Sequence, residues 1–383
     1  MADAAVKRSS PKRGGAAPSR AIRLNRVTGG RAPAPRRKRG PESRKVRKPL
    51  APLRNSYPRE IRRGPAVNRV RGAQTALYAA AAGAVEIEAR PGAIPAGKER
   101  DAMKKDITVC LSFDFDAISV WVGTFHAKSP SAISRGEFGR VGAERLLKML
   151  REWGIKSTWF VPGHTADAFP ATVAAIAAAG HEIGHHGYFH DRPKTIADEA
   201  EDFDRATAAL QRVTGQTPVG YRSPAAGLMP STLECLRERN FLYDSSMMGD
   251  DFTPYYCRAG DQAPADGPFV WGRATSLVEL PFTWGLDDFP AFEHVWTRNG
   301  VNPGLAAPSR MFEIWWGDFE YLHERLGAGV YILTMHPQSI GRGHRLLMLE
   351  RLVAQMRARA GVRFVTMREA AEEFRRNHPV PGA

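Results

Sequence analysis

Cysteine is nearly absent: Cys110, Cys235 and Cys257 are the only three in 383 residues, odd in number and far apart. That excludes a disulfide framework and a cysteine-built metal site, and leaves reduced, buried thiols as their reading. Long apolar runs are lacking as well. The stretch ALYAAAAGAV at 76–85 is too short to cross a bilayer and too far from the start for a signal peptide. RRGPAVNRV imitates a twin-arginine signal only weakly. With no export or membrane segment in the sequence, a cytoplasmic location and no membrane partner are expected.

Acidic residues are scarce in one region only. Residues 1–102 carry 25 Lys and Arg against 7 Asp and Glu, which leaves 30 basic and 33 acidic residues downstream. The formal net charge of +15 therefore belongs to the leader, and no specific nucleic-acid partner is expected of the rest. In the first 65 residues, runs such as RAPAPRRKRGPESRKVRKPLAP cannot bury enough apolar surface to offset their conformational entropy. The sequence thus predicts a disordered, basic Pro/Arg-rich leader over 1–102 and one folded domain over 103–383. Met103 opens MKKDITVCLSFDFDA, which reads as a start in its own right, so translation from Met103 is the alternative to a genuine leader.

What is present, from 106 onward, is alternation. ITVCLSF precedes a helical GAERLLKMLREWG at 142–154, and STWFVP precedes PATVAAIAAAG, with Pro170 at its first turn and Gly180 just past its end. The pattern continues through HEIGHH, PVGYRSP, FLYDSS, GVYILTMHP and VRFVTM, with helices between them. Strand and helix at this spacing indicate parallel βαβ units and an α/β fold of barrel length.

In a strand from 107, Val109, Leu111, Phe113 and Phe115 share one face, while Cys110, Ser112, Asp114 and Asp116 share the other. Two carboxylates then point the same way at a strand's C-terminal end, where parallel α/β folds place active sites. A helix cap or Asx turn is the structural alternative. HEIGHHGYFHD supplies His181, His185, His186 and His190, of which His186 and His190 have the spacing to face one point. With Asp116 they make a set of two imidazoles and one carboxylate, suited to Zn²⁺ or another divalent metal with open positions. GYRSPAAG adds Arg222 and YILTMHP adds His336, each after a strand.

Taken in order, SFDFDA, HGYFH, YRSPAAG and LTMHP resemble the polysaccharide deacetylase family, the NodB homology or carbohydrate esterase 4 group. EIGHHGYFHD and ELPFTWGLDDFP look most like its branch of Helicobacter-type peptidoglycan deacetylases, itself similar to metal-independent allantoinases. Phe115 between the aspartates, and Gly187 where Ser or Thr is usual, both fit that branch. The resemblance implies a distorted (β/α) barrel of about seven parallel strands. It further implies that Asp114 is the catalytic base, Asp116, His186 and His190 the metal ligands, Arg222 the support of the base and His336 the acid.

Those roles fit amide hydrolysis, in which a metal activates water, Asp114 takes its proton and His336 protonates the leaving amine. Asp287 or Asp288 could support His336, and either could equally cap a helix. Trp284, Phe289, Trp296, Trp315 and Trp316 offer aromatic surface. Trp315 and Trp316 read as core, whereas Trp284 is a candidate substrate contact. Expected partners are a small-molecule or amino-sugar substrate and, at most, a second copy of the chain. The substrate alternatives are N-acetylated amino sugars and small cyclic amides, with the cytoplasmic reading favouring the smaller. Rival readings are a metal-independent, allantoinase-like amidohydrolase, a non-haem iron oxygenase and a non-catalytic carbohydrate-binding relative.

Overall fold

The apolar and small polar alternation around residue 110 builds the central strand of the molecule, β1 (Asp106–Asp114), buried along nearly its whole length. The structure is a computed structural model that describes residues 104–191, 193, 195–297 and 300–380. The expected leader over 1–102, the domain boundary after it and the alternative start at Met103 lie outside these residues. Val109, Leu111, Phe113 and Phe115 enter the main apolar core, whereas Cys110 joins Phe160, Tyr243, Val278, Ile332 and Met367 in a separate cluster. The two faces of β1 therefore divide as the sequence predicts. All three cysteines are free and buried.

Further strands follow: β2 (Thr158–Val161), β3 (Glu182–His185), β4 (Gly220–Tyr221), β5 (Tyr243–Asp244), β6 (Tyr255–Ala259) and β7 (Arg273–Glu279). β8 (Val295–Thr297) and β9 (Gly300–Asn302) form a separate antiparallel pair, and β10 (Ala328–Met335) and β11 (Val362–Phe364) complete the set. The main sheet runs β10-β1-β2-β3-β4-β5-β7-β6, parallel from β10 to β7, with β6 antiparallel at the edge and β11 alongside the first half of β1. Seven consecutive parallel strands make the curled sheet of a distorted barrel. One bridge, between Asp287 and Thr334, brings the segment after β7 back onto β10.

Helices alternate with these strands: α1 (Ile118–Val122), α2 (Pro130–Trp153), α3 (Gly163–Ala168), α4 (Pro170–Ala178) and α5 (Ile196–Thr214). α6 (Thr232–Glu238), α7 (Phe289–Phe292), α8 (Pro308–Tyr321), α9 (Pro337–Ile340), α10 (Gly343–Arg357) and α11 (Met367–Asn377) follow. α5 begins with a capping box between Thr195 and Asp198, which satisfies two otherwise orphaned amides. α2 starts 12 residues before the predicted 142, because Gly136 and Gly142 act as contact points and not as breakers. A Cβ on Gly136 would lie 2.5 Å from the Ala117 carbonyl oxygen, and one on Gly142 would lie 2.0 Å from that of Pro337. Trp315 is fully buried, as its core reading requires, and Trp316 packs partly buried against the same core. Among the described residues no helix is long and apolar enough to cross a membrane.

Candidate active site

The C-terminal ends of β1, β3, β4 and β10 converge on one cleft of about 490 Å³ of empty space. Asp114 ends β1, and Phe115 extends the ladder by donating its amide to the Phe160 carbonyl at 2.8 Å. Asp116 follows, its carbonyl fixed by the Ser119 amide at 2.8 Å and the Thr165 hydroxyl at 2.6 Å. Its Oδ1 lies 3.4 Å from His186 Nε2 and 3.5 Å from His190 Nε2.

The two histidines hang on the turn after β3. Gly187 sits at φ +65°, the left-handed region, and a Cβ there would meet Asp202 Oδ2 at 3.0 Å. His190 also has positive φ, 52°, which costs about 1–3 kcal/mol of local strain and aims its ring inward. His186 Nδ1 donates to the Arg222 carbonyl at 2.7 Å, so its proton is on that nitrogen and Nε2 offers a lone pair. Thr124 gives its hydroxyl proton to the His190 carbonyl at 2.6 Å and accepts from His190 Nδ1 at 2.7 Å, with the same outcome. Asp116 Oδ1 and His186 Nε2 are both buried without a hydrogen-bond partner. Two bare imidazole nitrogens and a carboxylate oxygen, all within 4.8 Å, are three acceptors facing one point.

Charge follows from this packing. Burial works against ionisation of Asp116, but His190, His186 and His336 outweigh it and hold the carboxyl below the usual range. Burial, only partly offset by Asp116, pulls His190 down to about 4 and keeps it neutral. For His186 the same burial is overcome by Asp114 and Asp116, and its pKa is raised.

Arg222 follows β4 and is almost wholly buried, its guanidinium lying 4.3 Å from the Phe160 ring centre. It donates to Asp114 Oδ1 at 2.8 Å, to Ser112 Oγ at 3.0 Å, and to the Ser245 carbonyl and hydroxyl at 3.1 and 3.0 Å. Asp114 Oδ1 is thereby occupied. Oδ2 faces the cleft, 3.9 Å from His186 Nε2 and 4.0 Å from His336 Nε2.

His336 follows β10. Asp288 Oδ1 accepts from its Nδ1 at 2.7 Å and from its backbone amide at 3.0 Å, which turns Nε2 toward the carboxylate pair. Asp287 takes the other reading open to these neighbours, accepting the Phe289 amide at 2.7 Å at the start of α7. It still lies 3.7 Å from His336 Nδ1. Burial lowers the His336 pKa, but Asp287 and Asp288 overcome it and raise the imidazole well above its ordinary range. Burial pushes Asp287 up to about 7. Asp287, Asp288 and His336 also have metal-type spacing, yet the hydrogen bond between Asp288 and His336 already satisfies that imidazole nitrogen.

His181 and His185 stay out of the cleft. Burial holds each near about 4, with His181 accepting from the Ser157 amide and His185 donating to the Phe203 carbonyl. Trp284 lines the cleft and is 44% exposed. Sequence reasoning missed Thr124, Ser245 and Gln338. Only Gln338, two residues after His336, had a local signal, and its Nε2 donates to Asp116 Oδ2 at 3.3 Å.

Residues 121–243 match the family described as polysaccharide deacetylase, a span that holds His186, His190 and Arg222. The peptidoglycan deacetylase of Helicobacter pylori is 35% identical over 291 residues, covering 72% of this chain and 99% of that protein. A solved Mycobacterium smegmatis structure described as a polysaccharide deacetylase superposes with a TM-score of 0.64 at 33% identity, covering 77% of this chain and 98% of the other. The structure of PuuE allantoinase superposes with a TM-score of 0.58 at 22% identity, covering 76% and 96%, a likeness of fold alone. Because the Helicobacter protein is matched over nearly its full length, the chain belongs to the polysaccharide deacetylase family and is a hydrolase of amide carbon–nitrogen bonds.

Proposed function

We propose that this chain is a metal-dependent deacetylase that removes N-acetyl groups from amino sugars. One observation carries the metal: Asp116 Oδ1, His186 Nε2 and His190 Nε2 are acceptors turned on one another, two of them buried without a partner. Such a set is suited to a cation, and two imidazoles with one carboxylate fit Zn²⁺. When bound, the metal lowers the pKa of water and polarises the amide carbonyl.

The remaining roles belong to side chains. Asp114, with Oδ1 held by Arg222, presents Oδ2 as the base that takes the proton of the attacking water. Arg222 fixes the rotamer of that carboxylate. His336, kept protonated by Asp287 and Asp288, holds its proton at Nε2 for the departing nitrogen, which cannot leave as an amide anion. Asp288 fixes that orientation. Trp284 and Phe289 supply apolar walls against which a sugar ring packs. The amino-sugar substrate is supported by the likeness to the Helicobacter peptidoglycan deacetylase, whereas the likeness to allantoinase rests on fold.

The test uses the full chain, loaded with Zn²⁺ or exhaustively chelated, on N-acetylglucosamine oligomers, peptidoglycan and cyclic imides, with acetate, amine and ring opening measured. Native protein should deacetylate the sugars, while chelation or His186→Ala should abolish turnover. Full activity after chelation would establish the metal-independent alternative. Ring opening with the N-acetyl sugars untouched would reject the substrate.

A further inference from the structure

We propose that Gln338 is a positioning residue that sets how Asp116 presents its two oxygens, from the same turn that carries His336. The inference rests on the metal reading above. Gln338 is 2% exposed and donates from Nε2 to Asp116 Oδ2 at 3.3 Å. The opposite amide orientation would set a carbonyl against a carboxylate, so nitrogen is the atom that faces Asp116. This bond occupies Oδ2 and leaves Oδ1 toward His186 and His190. His336 Nε2 lies 3.7 Å from the same Oδ2.

The turn is built to hold this geometry. α9 packs backbone to backbone on α2, with the Cβ position of Gly142 2.0 Å from the Pro337 oxygen. The amides of Ser339 and Ile340 bond the His336 carbonyl at 2.7 and 2.8 Å, and Ser339 Oγ donates to Glu293 at 2.7 Å. Gln338 Oε1 is buried without a partner among the described residues. That orphan acceptor is a loss of stability that an apolar side chain of similar size would avoid. The residue therefore serves for its donor and not for packing.

The experiment titrates the chelated full-length chain with Zn²⁺ against a competing chelator, for native protein, Gln338→Met and Gln338→Asn. Met keeps the volume without a donor, and Asn keeps the amide one methylene short. Each variant should bind Zn²⁺ about 10- to 100-fold more weakly, the range for partners that orient a metal ligand. At saturating Zn²⁺, kcat should fall with KM little changed. Thermal melting of the metal-free variants reports folding, so a Met variant that does not fold leaves the Asn variant to be read in the same titration. Native Zn²⁺ affinity in a cooperatively melting variant overturns the role of Gln338 and leaves the proposed function standing. A native chain that binds no Zn²⁺ and keeps full activity overturns both.

Discussion

Replacing Arg222 by Met removes a buried guanidinium and strands the groups around it. Asp114 would be left buried without its cation, Ser112 Oγ and both Ser245 oxygens would lose donors, and the contact with Phe160 would go. Breaking one partner out of a buried ion pair costs about 3–5 kcal/mol, because the other charge stays desolvated. Asp114→Asn should cost a similar amount for the converse reason. In the double variant neither charge is stranded, so its loss should be smaller than the sum of the two by about 2–3 kcal/mol, the upper part of the range for coupled neighbours. The assay is denaturant unfolding of all four proteins in chelator, where metal affinity adds nothing to stability. Arg222→Lys, which keeps the charge but loses the planar fork, should lie between native and Met. Additivity within about 0.5 kcal/mol would refute the reasoning. Arg222 would then be a brace between Ser112 and Ser245, and the Asp114 contact incidental.

Two further outcomes follow from the site. His336 is held above its ordinary range by Asp287 and Asp288 against the pull of burial, and the acid form is present below its pKa and lost as pH rises through it. Asp288→Asn should therefore move the alkaline limb of the kcat profile to lower pH, and an unmoved limb would detach Asp288 from the acid. Gly187→Ala puts a side chain at φ +65° and within 3.0 Å of Asp202. It should cost about 1–2 kcal/mol of folding stability and weaken metal retention together, and a variant with native metal affinity would show that His186 and His190 are held from elsewhere.

The parts of the site that sequence reveals are those one strand or one turn can encode. Two aspartates spaced by Phe115 declare a common face because side chains alternate along β1, and the histidines lie within one loop. The partners of these residues are a different matter. Thr124 reaches His190 across 66 positions, Gln338 reaches Asp116 across 222, and Ser245 meets Arg222 only because β4 and β5 are neighbours. No local period marks such pairs. Asp287 and Asp288 were indistinguishable by composition, since the choice between cap and imidazole partner depends on which carboxylate the chain turns inward. The first half of α2 was hidden for another reason. Its glycines weaken helix propensity, and the backbone contacts with Ala117 and Pro337 that repay it form only in the folded chain.

The barrel's seam bears on the order in which function would fail. Asp287 bridges Thr334, and the Asp288 amide donates to the Thr334 carbonyl at 3.1 Å, so the segment that shuts the ring also delivers the carboxylate of the acid. The metal-type residues follow β1 and β3, which β2 joins through continuous parallel pairing. A molecule unzipping at its weakest edge would part His336 from Asp288 while Asp116, His186 and His190 still stood together. On the proposed roles, such a half-open barrel would still hold a metal but lose the carboxylate that orients its acid, a spent enzyme that a metal analysis alone would count as intact.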